Sequence, residues 1–142
     1  MSRSWTKPSE IFQQRVEPAW EDHTKNPRSE YYANNLAVQL NNRLEWTYTY
    51  LKDADPSRLN GATSLTSFRE DLFTQHPALR VMYDLAEADK HRELTIPRDP
   101  PRTVTLSTDA YYEKDGVLYV KHYDVPFSDV AGEAREFWRK WP

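Results

Sequence analysis

Apolar residues recur at helical spacing from the N-terminus to about residue 95, and strict alternation of apolar and polar residues is confined to the stretch beyond. Ser9 is placed to cap a helix beginning at Glu10, with Ile11, Phe12, Val16 and Trp20 on one side and Pro18 expected to kink or end it. Asn26-Pro27 interrupts the pattern. Ser29 then caps the longest periodic segment, in which Ala33, Leu36, Ala37, Leu40, Leu44, Tyr48 and Leu51 form one stripe. Asp55-Pro56-Ser57 and Asn60-Gly61 predict a loop, followed by a shorter helix capped by Ser64 or Ser67 and carrying Leu65, Phe68, Leu72 and Phe73. His76-Pro77 closes that helix, and Pro77 suits the first turn of the next, where a missing amide hydrogen costs nothing.

In this fourth helix Val81, Met82, Leu85 and Ala88 make the apolar face at about 100° per residue, and Asp89 and Arg92 project within it. A carboxylate there must find hydrogen-bonding or cationic partners, because an unpaired buried charge would consume a large part of a domain's stability. Asp84, Asp89, Lys90, His91 and Arg92 therefore form a candidate polar site. Its alternative role is structural, with the three basic residues complementing the negative end of the helix dipole.

After Leu94 the run Ile96-Pro97-Arg98-Asp99-Pro100-Pro101 cannot continue a helix. Alternation over Thr103–Ser107 and over Val117–Tyr123 predicts two strands, with Asp115-Gly116 as the hairpin turn between them. Tyr111, Tyr112, Tyr119, His122 and Tyr123 would pack across it. Ser128 is placed to cap a last helix whose Val130, Ala134, Phe137, Trp138 and Trp141 make a docking stripe. The expected fold is α+β and mainly α: one domain over 1–142, with a four-helix bundle over 9–95 and a β-hairpin plus C-terminal helix over 102–142.

Composition narrows the function classes. The net charge of -3, from 19 Lys+Arg against 22 Asp+Glu, exerts no general pull on nucleic acid and leaves only a local basic patch as a route to it. With no cysteine, disulfides, thiolate metal sites and cysteine nucleophiles are excluded. The four histidines lie in four separate segments without a ligand-like spacing, so no metal or other cofactor is expected. The three glycines stand too far apart for a phosphate-binding loop. A polar N-terminus and the lack of a long apolar run predict a cytoplasmic protein that does not enter a membrane.

The segment Asp84-Leu85-Ala86-Glu87-Ala88-Asp89-Lys90-His91, with Leu94 and the later Phe137-Trp138, resembles a group of functionally uncharacterised bacterial proteins in which a helix ends in a Lys-His pair. More distantly the helices resemble the HEPN class of bundles (higher eukaryotes and prokaryotes nucleotide-binding). That resemblance implies a helical bundle, a dimeric site and a place in defence or toxin modules, some members being metal-independent ribonucleases. The class motif is an arginine, a polar residue, four to six further residues and a histidine; Arg69 through His76 fits its spacing. Glu70 departs from the Asn, Asp or His of the class, and its carboxylate would repel the phosphate that Arg69 should hold.

On the long second helix Trp46 and Tyr50 project away from the Leu36–Leu51 stripe and, with Tyr31, imply a second apolar surface, either covered by neighbouring helices around a central rod or open to a protein partner, a second copy or stacked bases. The leading expectation is a non-enzymatic interaction or accessory protein using Tyr31, Trp46, Tyr50 and the Asp84–Arg92 cluster. The alternative is a HEPN-type ribonuclease using Arg69 and His76.

Overall fold

In the computed structural model the 25-residue helix α3, Glu30–Ala54, is the axis against which the other helices pack. The structure describes residues 6–90, 93–96, 102–105 and 110–141, without the side chains of 89, 90, 93–96 and 102–105. Ahead of α3 come α1 (Pro8–Ile11), a π-helical turn (Phe12–Val16) and α2 (Glu17–Lys25), which follow one another without a break. After it come a 3-10 turn (Pro56–Leu59), α4 (Leu65–Gln75) and α5 (Pro77–Lys90). The remaining elements are β1 (Glu93–Ile96), β2 (Arg102–Thr105), β3 (Tyr111–Lys114), β4 (Val117–Val120), β5 (Val125–Pro126) and α6 (Phe127–Arg139). The fold is thus α+β and mainly helical.

The expected helix starts at Ser29, Ser64 and Pro77 are all present. Ser29 Oγ accepts from the Tyr32 amide, and Ser64 and Ser67 exchange side-chain to backbone bonds in a capping box. The stripe Ala33, Leu36, Ala37, Leu40, Leu44 and Leu51 is buried, facing Val81, Met82 and Leu85 of α5 and Phe127, Val130, Ala134 and Trp138 of α6. One core therefore unites the bundle, the sheet β3-β4-β5 through Tyr111, Leu118 and Val120, and the C-terminal helix.

Four expectations are corrected. The first helical segment begins at Pro8, one residue before the expected cap Ser9, and Glu10 accepts the Lys7 amide instead. Pro18 does not end it: the Glu17 amide reaches five residues back to the Phe12 carbonyl, and this π turn changes the backbone register just before the proline. The Asp115-Gly116 turn joins Tyr111–Lys114 to Val117–Val120, with Lys114 opposite Val117. Both turn residues have positive φ (52° and 78°), as a two-residue hairpin loop demands. The strand near Val104 pairs instead with Glu93–Ile96, Leu94 opposite Val104. β4 ends at Val120, the next four residues forming a turn.

The fourth correction concerns Ser128. It lies inside the first turn of α6, whose N-cap is Pro126, and its hydroxyl is engaged 2.8 Å from Nε2 of His23. His23 is 1% exposed, packed edge-on to Phe127 at 5.0 Å, and burial lowers its pKa from the ordinary 6.5. The unfolded chain takes up a proton near pH 6.5 that the folded chain refuses, so this contribution is complete above that pH and shrinks as the pH falls below it. Urea midpoints at about pH 7.5 and about pH 5.5 should therefore separate more in the wild type than in His23→Phe. Equal separation in both proteins would contradict a buried neutral imidazole.

Candidate functional site

The outward side of α3 carries Tyr31, Asn35, Gln39, Asn42, Trp46 and Thr49, which fall within about 80° of one another on the helix. Tyr31 is 72% exposed, Asn42 and Thr49 are exposed, and Gln39 Nε2 donates to Asn35 Oδ1 at 3.4 Å. At the C-terminal end of this stripe lies a groove of about 480 Å³ between α3 and the N-terminal segment, walled by Ile11, Arg15, Asn42, Glu45 and Trp46. The half-buried Trp46 is fixed there, its indole Nε1 donating to the Thr6 carbonyl at 2.8 Å. An aromatic plane, side-chain amides, one cation and one carboxylate thus border a concave surface.

Tyr50 belongs elsewhere. It lines a second cavity, of about 220 Å³, together with Arg43, Leu51, Arg58 and Trp141. The three aromatics expected to form one surface are therefore divided, Tyr31 and Trp46 on one stripe and Tyr50 beside Arg43. The reading from sequence passes over Arg43, although its position is informative: Leu36, Leu40, Arg43, Thr47 and Leu51 run at spacings of four, three, four and four, so a guanidinium sits on the apolar stripe.

Arg69 and His76 each have other partners. Arg69 Nη2 meets Glu45 Oε1 at 2.6 Å and its guanidinium lies 4.8 Å from the Tyr83 ring centroid. His76 closes α4 and packs on Phe137 at 4.4 Å. Glu45 already neutralises the arginine that would have to stabilise a phosphorane.

In the polar cluster, Asp84 is half-buried and accepts a hydrogen bond from the Tyr123 hydroxyl, reached across from the turn after β4. Partial burial first, and then this bond to Asp84, raise the Tyr123 pKa, while Arg80 pulls it down. Asp84, His122 and Tyr123 border a cleft of only about 70 Å³. The side chains of Asp89 and Lys90, and the whole of His91 and Arg92, lie outside the described residues. Among the described residues no three His, Asp or Glu side chains converge to hold a metal ion, and no helix is long and apolar enough to cross a membrane. Compared with known proteins, the chain matches no family model, no curated protein and no solved structure.

Proposed function

We propose that this chain is a non-enzymatic interaction protein that pairs with a second copy of itself through the outward stripe of α3, in an accessory role of the kind that its resemblance in sequence to HEPN bundles would imply for defence or toxin modules. The observation that carries the reading is the groove at Trp46, about 480 Å³, continuous with an exposed stripe ending in Tyr31. The stripe is self-complementary. A twofold axis between Val38 and Gln39 sets Tyr31 against the Trp46 groove of the other copy and Asn35 opposite Asn42. Side-chain amides both donate and accept, so the same residues satisfy each other across such an axis. An aromatic anchor entering a pocket at each end is the usual source of interface affinity.

The ribonuclease reading has less support, because the Glu45 carboxylate holds Arg69. Sedimentation velocity tests the proposal: the wild type should run as a dimer, and Trp46→Ala as a monomer of unchanged helicity. The substitution removes the bond to Thr6 and the half-buried indole, and should cost about 2 kcal/mol of fold stability. A monomeric wild type, or a dimer indifferent to Trp46→Ala, would overturn the reading. RNA cleavage in a chelator, abolished by His76→Ala, would install the enzyme in its place.

A further inference from the structure

We infer that the cavity between the start of α1, the C-terminal half of α3 and Trp141 binds a small oxyanion, a carboxylate or a phosphate monoester, through the guanidinium of Arg43. Arg43 is 1% exposed and borders this cavity of about 220 Å³. Its Nη1 donates to Thr47 Oγ1 and its guanidinium faces the Trp138 ring, 4.6 Å from the centroid, yet its Nε has no hydrogen-bond partner. Among the described residues no carboxylate lies within ion-pair distance of it. Burial lowers its pKa from 12.5 to about 10, which leaves it cationic at neutral pH, with no counter-charge among the described residues. A buried charge without a counter-charge is expensive.

The walls point to what balances it. Lys7 and Arg58 also border the cavity, no acidic residue among the described ones does, and Tyr50, Leu51 and Trp141 supply apolar and aromatic contact. Arg58 lies over the Trp141 ring at 5.4 Å. Arg43 Nη1 is held by Thr47 and its Nε is enclosed, so what draws a carboxylate or phosphate is the delocalised charge behind the wall rather than a two-point fork. The volume falls below that of drug-sized pockets, which limits the ligand to a small anion and excludes a whole nucleotide.

The test uses the full chain at constant ionic strength, titrated separately with inorganic phosphate and with acetate against chloride. The readouts are tryptophan fluorescence, since Trp138 and Trp141 adjoin the site, and the thermal midpoint. A saturable response to at least one ion is expected. Phosphate alone would identify a phosphate ligand, acetate alone a carboxylate, and either supports the inference. Arg43→Met should abolish the response. Because that variant alters the core, Lys7→Glu serves as an exposed control, expected to fold normally and to weaken binding on the order of tenfold by replacing attraction with repulsion at the rim. Responses to neither ion beyond the chloride baseline, or saturation unchanged in Lys7→Glu, would overturn it.

Discussion

Replacing Trp138 with alanine should lower the free energy of unfolding by about 4 kcal/mol, roughly a quarter or more of the margin of an ordinary domain. The side chain is 2% exposed and is packed edge-on to Phe137 at 4.7 Å and to Trp141 at 5.7 Å. It also covers the Arg43 guanidinium, so truncation leaves both a cavity and a buried cation stripped of its aromatic face. Trp138→Phe should behave differently. The indole Nε1 has no hydrogen-bond partner, so phenylalanine loses some packing but also removes a buried unsatisfied donor. The two effects oppose, and a net cost of about 1 kcal/mol is expected. Urea unfolding at neutral pH compares the three proteins. Equal losses for the two variants would contradict an unsatisfied indole in a well-packed wall.

The core was largely readable from residue spacing, because the helices bury one face and expose the other. Ser29, Ser64 and Pro77 mark helix starts through local chemistry that needs no distant partner. The misreadings share a cause, which is that a distant or adjacent element outbid the local signal. Ser128 has the composition of a cap, yet His23, more than a hundred positions earlier, takes its hydroxyl. Pro18 has the composition of a helix end, yet the π turn before it accommodates the ring. Thr103–Ser107 alternates ahead of Asp115-Gly116 whereas Tyr-Tyr-Glu-Lys does not, yet only a segment abutting the turn can use a two-residue loop; Tyr111–Lys114 meets that condition and Thr103–Ser107 does not.

The candidate site was less legible for the same reason. Trp46 and Tyr31 stand out as aromatics off the apolar stripe, but the groove beside Trp46 depends on the approach of Ile11 and Arg15 from another helix. Arg43 could be found from its helical spacing but is passed over in the sequence reading, and the lack of a counter-charge among the described residues depends on what surrounds it in space. Asp84 was visible as one member of a charged cluster, but its partner Tyr123 arrives from beyond the hairpin.

Pairing of the α3 stripes across a twofold axis is the claim on which the functional account rests, and the chain offers a clean way to examine it because it contains no cysteine. Asn35 and Asn42 lie at equal distances from the axis between Val38 and Gln39, so each should face the other across the interface. A disulfide forms only where the two Cα atoms come within about 7 Å, which makes the reaction a ruler. Each residue lies on the solvent side of α3, and neither substitution removes core packing. Asn35→Cys and Asn42→Cys, purified separately, mixed and oxidised, should give mostly the mixed covalent dimer and little of either like-with-like product. Cross-linking of like with like in preference to the mixture, or none at all, would contradict the account.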